Sequence, residues 1–594
     1  MTEGASVPEA ECDLVMRGGV TSGAVYPSAL WEISKHYKLR NVGGASAGAI
    51  AAVGAAACEY GRREDPAAFG RLLKVVREIT EEGFVRDLFQ PKEETRLALD
   101  VGLRIATSPH SYPRRLAGAL WDVVRKRWVW VVVSVLAVVA WAVAVMAAAL
   151  AVGDRGPAEV QIAGVVVLAV LAFVGIALLV TGLAAATFAF GLSRALEHGG
   201  FGLCRGLTED EDRGRKGLTD WLHETIQRCA GRDTDQPLTF LDLQGDDPES
   251  PLVALRLVTT DLSASRPVVL PLPEPSEEKT PYLFERGEFE RLFPAEVVEH
   301  LVEHSRVNGR TPDGRTLYEL PGLDLPVVVA ARLSLSFPIL VETVPLWRQD
   351  GPTPDRVQHT MSDGGISSNF PIHFFDSLLP GRPTFGLDLQ PWRTPELAPV
   401  GMSPDPSPPL FTGVSNLAEL GTQILNASRN WRDNMQSELP GFRDRICQIR
   451  LGTGEGGLHL DMKRSVVRGL VSRGRTAGRK VVDPRCFGWD AHRVTRYRTL
   501  MQMLQRGLGP AGAGRDCVYQ GADCGRRVPF RDRLSAYADG TSTLPGLDAA
   551  WCRGAMPVSD ILIGAAALLG KGGAIDFDDG APTPTPTMRV VPTV

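Results

Sequence analysis

The 594-residue chain holds only ten lysines among its 64 basic residues, nine cysteines, ten histidines and a net charge of −5. The near-balanced charge speaks against a sequence-independent nucleic-acid binder, which needs a basic face or stripe. The cysteines form no C-x-x-C pair and no Cys/His zinc spacing, and Cys517 and Cys524 stand close without either pattern. Their odd number fits reduced thiols rather than a disulfide framework. No acidic loop matches an EF-hand, no G-x-G-x-x-G opens a helix, and no recurring motif nominates a histidine. No metal and no cofactor are therefore expected. The first twelve residues are polar and acidic, unlike a secretory leader.

What is present is concentrated in three short stretches. Leu39 to Ile50 carries Gly44-Ala45-Ser46-Ala47-Gly48, a G-x-S-x-G pattern between a short strand and a small-residue helix. A sharp strand-to-helix turn exposes a serine in strained backbone geometry, and flanking glycines remove the side chains that would clash. The helix that follows, from Ala49 to about Tyr60, points its positive end at the serine. Upstream, Leu14 to Tyr26 is a strand end, a turn with Gly18, Gly19 and Gly23, and a helix. Glycines there let backbone N–H groups converge on an anion. Downstream, Met361 to Pro371 places Asp363 before Gly364 and Gly365. An aspartate in a glycine turn gains meaning if a serine nucleophile needs a base. His36 and His373 are the histidines nearest these motifs and read as structural or surface residues.

Taken in order, a glycine-rich loop, G-x-S-x-G and D-G-G resemble the patatin-like phospholipases. Ala330 to Ile339 resembles the family's serine- and proline-bearing segment ahead of the aspartate, and Val258 to Leu262 its strand-end T-D segment. The resemblance covers about 10–60 and 195–390. It implies an α/β fold of three layers with a central, mainly parallel sheet. It implies a Ser46–Asp363 dyad without histidine, an oxyanion hole of Gly18, Gly19 and Ala47 amides, and Gly23, Gly44, Gly48, Gly364 and Gly365 as motif glycines. Asp363 should then be largely desolvated, since burial strengthens a weak base. The loop departs from the family in one place. Arg17 stands in or beside the first glycine and Thr21-Ser22 replace the arginine, which leaves the donor register open by one residue. A Ser–His–Asp esterase of the α/β-hydrolase type and a catalytically degenerate membrane-anchored scaffold remain as alternatives.

Between nucleophile and base lie two apolar runs, 25 charge-free residues from Trp128 to Val152 and 34 from Val160 to Ser193. About 20 apolar residues cross a bilayer as a helix. With the short polar linker Gly153–Glu159 they read as a transmembrane hairpin. Arg114, Arg115, Arg125, Lys126 and Arg127 before it and Arg194 after it place both globular parts in the cytoplasm by the positive-inside rule. The expected organisation is a catalytic domain at 8–112 and 196–390, split by a hairpin at 125–193 with helices at 128–152 and 162–190. A Pro-rich linker follows at 391–409, then a mostly helical region at 410–570 and a disordered tail at 571–594. Strands are expected near Leu238–Leu243, Ala254–Thr260, Thr384–Gln390 and Arg445–Leu451, and a lid or surface insertion between Asp261 and Pro326. The tract Lys463 to Lys480 has seven basic residues and no acid, either a solvated helix face or a surface for anionic lipid. The expected activity is lipid acyl ester hydrolysis (phospholipase or lysophospholipase type) on a membrane lipid, without nucleic acid and with the oligomeric state left open.

Overall fold

A computed structural model describes residues 7–107 except 20, 189–209 except 198, 214–274, 280–349, 355–392, 397–402, 414, 417–519 except 453 and 458, 530–539, 549–569 and single positions between 136 and 186. The expected membrane hairpin lies almost wholly outside the described residues, as do the tail 571–594 and most of the linker 391–409. Among the described residues no helix is long and apolar enough to cross a membrane.

Among the described residues fourteen strands organise the fold. They are β1 (Glu11–Met16), β2 (Lys38–Ala45), β3 (Gly202–Cys204), β4 (Ala254–Asp261), β5 (Arg266–Leu270), β6 (Leu283–Glu285) and β7 (Val307–Arg310). The rest are β8 (Thr316–Glu319), β9 (Ile339–Val341), β10 (Val344–Gln349), β11 (Arg356–Asp363), β12 (Thr384–Pro391), β13 (Val400–Gly401) and β14 (Ile446–Leu451). Twelve form one sheet in the order β13-β14-β12-β1-β2-β4-β11-β10-β6-β8-β7, with β5 on β4, while β3 and β9 pair separately. The sheet is mixed. It is parallel from β14 through β12, β1 and β2 to β4, and antiparallel from β4 onward.

Both faces of this α/β sheet are covered. On β1, Leu14 and Met16 join the large core, whereas Val15 joins Phe370, Ile372, Phe442 and Ile446 in a second cluster. Successive strand residues point to opposite faces, so burial of all three demands cover on both sides. The helices Tyr26–Ile33 and Ala47–Gly61 connect β1 to β2 and lead on from β2 towards β4. The second of these, the elbow helix, is buried on nearly every side. A helix apolar all round belongs in a core, and its alanines let the helix Leu218–Ala230 pack closely.

The expected strand at Leu238–Leu243 is instead a helix, Phe240–Gln244. Its cause is a capping box: Thr239 Oγ1 accepts from Asp242 N at 3.2 Å, and Thr239 N donates back to Asp242 Oδ2 at 2.9 Å. The stretch Asp261 to Pro326 is not a lid laid on the surface. It supplies β5 to β8, and Phe284, Phe289 and Phe293 pack against one another at tilted angles in the core. The expected strand at Arg445–Leu451 is β14, which extends the central sheet beside β12. The basic tract forms the helix Arg464–Val482 and buries Leu470, Gly474, Ala477, Gly478 and Val481. It lies directly on the helix Tyr26–Ile33, where a β-carbon on Gly478 would stand 2.6 Å from the Ala29 carbonyl. Arg473 pairs with Glu455, and Arg475 and Arg479 lie 3.7 and 3.4 Å from Glu32.

Candidate active site

Ser46 sits between β2 and the elbow helix with φ 55° and ψ −130°. A positive φ is rare for a residue with a β-carbon, and such strain clusters at functional sites. The surroundings hold it there. A β-carbon on Gly48 would run into the Met16 carbonyl, and one on Gly44 would stand 2.5 Å from the Gly48 carbonyl. The serine is 1% exposed and caps the N-terminus of a 15-residue helix, where partial positive charge gathers.

Strand register brings the aspartate to the same level. Ala45 on β2 pairs with Val258 on β4, and Thr259, the next residue of β4, pairs with Asp363 on β11. Ser46, Thr259 and Asp363 therefore form a row across three adjacent strands. The outer backbones are two strand spacings apart, roughly 10 Å. Asp363 is 1% exposed, and its Oδ1 accepts from Gly365 N at 2.8 Å. The segment Ser334–Ser336 is wedged between the two. Ser334 Oγ accepts from Ser46 N at 3.1 Å, and Ser336 O accepts from Asp363 N at 3.0 Å. Gly364 packs against the Val258 carbonyl so closely that no side chain fits there. Arg332, wholly buried, fixes this segment by donating to Ser336 Oγ at 2.6 Å and to the Glu342 carbonyl at 2.8 Å.

The glycine loop closes the third side. A β-carbon on Gly18 would stand 2.8 Å from Ser46 Cβ, so nothing larger than glycine passes the serine. The Gly18 N–H does not face a substrate oxygen, however. It donates to the Asn369 carbonyl at 2.9 Å, which stitches the glycine loop to the aspartate turn. Of the three expected oxyanion donors, Gly19 and Ala47 are the two whose N–H groups bond to no acceptor among the described residues. Gly23 lies against Ala47, 3.2 Å from its β-carbon were it to carry one.

The departure at Arg17 has a structural explanation. Its guanidinium is buried and pairs with Asp388 at 2.8 Å, and it also donates to Asn434 at 3.2 Å and Asn430 at 3.4 Å. Burial opposes its charge, but Asp388 outweighs burial and raises its pKa. Tyr26 Oη donates to the Arg17 carbonyl. The helix Leu417–Ser437, in the region expected to be mostly helical, completes this arrangement, a role the sequence did not reveal. Its Asp433 is buried and accepts from Asn369 N at 2.7 Å, Phe370 N at 2.8 Å and Ser368 Oγ at 3.2 Å. Burial pushes the Asp433 carboxyl up, against the pull of those amides. Asn430, Asp433 and Asn434 fall on adjacent turns of one helix, but nothing in the sequence tied them to positions 17 and 369.

Among the described residues no histidine joins the row. His36 is exposed in the turn before β2, and β2 from Lys38 alone puts roughly 26 Å between that end and Ser46. His373 is largely buried, which holds its pKa down at about 4, with Arg432 adding to the effect. His359 is buried and meets Asp261 at 2.7 Å, with Tyr282 donating to the same carboxylate at 2.9 Å. Burial would raise the Asp261 pKa, but bonds from Ala264 N, His359 and Tyr282 bring it below the usual range. His359 lies four residues from Asp363 on β11, about 13 Å along the strand. Among the described residues no three His, Cys, Asp or Glu side chains are grouped to hold a metal ion.

A cavity of about 120 Å³ starts beside the nucleophile at Ala47, Gly23 and Thr21. It follows Ile50, Ala51 and Gly54 along the elbow helix, between Leu222 of the helix Leu218–Ala230 and Leu335 and Phe337 of the wedge segment. Its lining is almost wholly apolar.

The chain is thus an α/β protein with a strained serine elbow and a buried aspartate across one strand. It belongs to the family of a Rhizobium meliloti (strain 1021) protein named "RpoH suppressor", with 33% identity over 579 residues that cover 84% of this chain and 87% of that one. No family model matches. Among solved structures it is similar to the crystal structure of VipD from Legionella pneumophila at 13% identity, over 95% of this chain and 89% of that one. The TM-score is 0.28, and at that level the likeness carries no argument.

Proposed function

We propose that the protein is a serine lipid acyl hydrolase of the patatin-like kind, with Ser46 as nucleophile and Asp363 as general base. The observation that carries this reading is the row Ser46–Thr259–Asp363 with an apolar cavity beginning at Ala47. In this reading Ser46 Oγ adds to the ester carbonyl while Asp363 accepts its proton. The tetrahedral oxygen receives the N–H groups of Gly19 and Ala47 at the positive end of the elbow helix. Collapse releases the alcohol, which takes the proton back from Asp363, and leaves the acyl group on Ser46. Water, activated by the same carboxylate, then frees the fatty acid. The cavity receives the acyl chain, since a mostly apolar pocket recognises little else.

The charge-free runs at 128–152 and 160–193 support a membrane anchor, and the flanking arginines support cytoplasmic globular parts. The described ends of this insertion bear on the site. Leu103 before it, Leu192 at its end and Leu196 after it pack against a cluster that contains Ala47 and Leu335. The anchor would hold the serine near its lipid.

The test is a fluorophosphonate probe on detergent-solubilised protein, followed by release of fatty acid from phospholipid vesicles. Wild type should label and hydrolyse, Ser46→Ala should do neither, and Asp363→Asn should lose about 10²–10⁴ in turnover. His359→Gln should keep its activity. A folded wild type that takes up no probe would end the proposal and leave the degenerate scaffold.

A further inference from the structure

The helix Leu417–Ser437 has two working faces. One carries Asn430, Asp433 and Asn434, which hold Arg17 and the Asn369 turn. The other is apolar and uncovered: Leu420, Ile424, Trp431 and Met435 are 43%, 58%, 57% and 66% exposed. At 3.6 residues per turn these four fall within about 60° of arc and span roughly 22 Å. A stripe of this length is not the scattered surface apolarity of an ordinary helix.

A second exposed apolar group lies across the active-site row. Phe201, Leu262 and Ile339 line a shallow cavity that reaches Ser362, the neighbour of Asp363. Phe201 and Ile339 both hold positive φ, 58° and 69°. For a β-branched residue that is a strained backbone, retained here with its side chain facing water. Ile339 belongs to the same segment whose Leu335 and Phe337 line the apolar cavity. Both groups stand at the carboxyl ends of the parallel strands. The first is tied there through Arg17, which follows β1, and the second includes Leu262, which follows β4.

We propose that these two groups are a lipid-surface docking face, with the helix Leu417–Ser437 lying in the bilayer interface and Phe201, Leu262 and Ile339 entering it on the other side of Ser46. The occupant is a lipid surface and not a second copy of the chain. Two apolar groups on opposite sides of one site suit a single continuous surface. The helix combines a Trp-bearing apolar face with the exposed cation of Arg432, as interfacial helices do. The charge-free runs of 25 and 34 residues interrupt this same body between its two groups of motifs. Docking has a consequence for the chemistry. The helix that meets lipid also carries Asp433, so membrane contact stiffens the Asn369–Gly18 stitch beside the serine. The choice of lipid as substrate rests on the hydrolase reading; the docking itself does not.

The experiment uses the full chain in vesicles of phosphatidylethanolamine and phosphatidylglycerol. An environment-sensitive fluorescent amino acid replaces Met435, Ile339 or, as a water-facing control, Arg485. Emission at 435 and 339 should shift to the blue and be quenched by nitroxide-labelled lipid, whereas the control should respond only to aqueous iodide. Iodide quenching at 435 and 339 without lipid quenching overturns the proposal. So does shielding that tracks protein concentration and ignores nitroxide lipid, which would show a second copy on the stripe. A companion variant, Ile424→Ser with Trp431→Ser, should lose about tenfold or more on vesicle lipid while a water-soluble butyrate ester is cleaved as before. Equal loss on both esters overturns the proposal. Lipid quenching at 435 and 339 together with a wild type that takes up no fluorophosphonate would sink the hydrolase reading and leave the docking face standing.

Discussion

Arg17 and Asp388 meet at 2.8 Å with side chains 9% and 1% exposed, 371 residues apart in sequence. Breaking a buried pair from one side leaves the other charge without compensation. Asp388→Ala should cost about 3–5 kcal/mol. Arg17→Met combined with Asp388→Leu should recover most of it. Urea midpoints for the wild type and the two variants measure both effects.

The cavity along the elbow helix should set acyl length. Gly54 lies two turns from Ala47, about 10 Å along the helix axis. A β-carbon there meets nothing within 4 Å. Gly54→Leu should therefore fold, fill the far end, and lower turnover of long-chain esters while sparing a butyrate ester. A profile of rate against chain length that stays flat would show that the acyl group binds elsewhere.

Asp433 offers a contrast of two substitutions. Asn can accept from both amides through one oxygen and still face Ser368, whereas Ala leaves buried donors unmet. Each unmet donor costs about 1–3 kcal/mol. Asp433→Ala should destabilise the fold by several such increments and depress probe labelling of Ser46. Asp433→Asn should stay close to wild type in both measurements.

His373 gives a pH signature. Its folded pKa, about 4, lies below the ordinary histidine value of about 6.5. The unfolded chain binds the proton more readily, so stability is complete above about pH 6.5 and falls as pH drops towards 4. His373→Gln should flatten that part of the stability curve. Denaturant midpoints at four or five pH values would reveal an unchanged slope, and so a different origin for it.

Gly48 tests the elbow. A methyl group there meets the Met16 carbonyl head on, where backbone cannot yield cheaply. Gly48→Ala should destabilise by about 3 kcal/mol or more, by the logic of overpacking. Thermal unfolding and probe labelling should fall together.

Much of the site could be read from short motifs because strand–turn–helix units are local. The Ser46 turn is announced by its own glycines, although the Met16 carbonyl and Ser334 that hold it lie far off in sequence. Asp363 could be named from its glycines, but the strand pairing that sets it level with Thr259 is a tertiary fact. The loop at Arg17 looked irregular because its explanation, Asp388 with Asn430 and Asn434, is remote. The Leu238–Leu243 stretch was expected as a strand, yet the Thr239–Asp242 capping box turns it into a helix. Between Asp261 and Pro326, abundant charge and proline hid four short strands whose apolar residues are few but large.

The pairing of β14 with β12 governs how this protein can be cut. A fragment stopped at the Pro-rich stretch near residue 391 would bare the β12 edge, an open template for intermolecular pairing. It would also strip the helix that seats on Ala29. Genetic truncation there should produce inclusion bodies, so the carboxyl-terminal third travels with the serine as a single inherited unit.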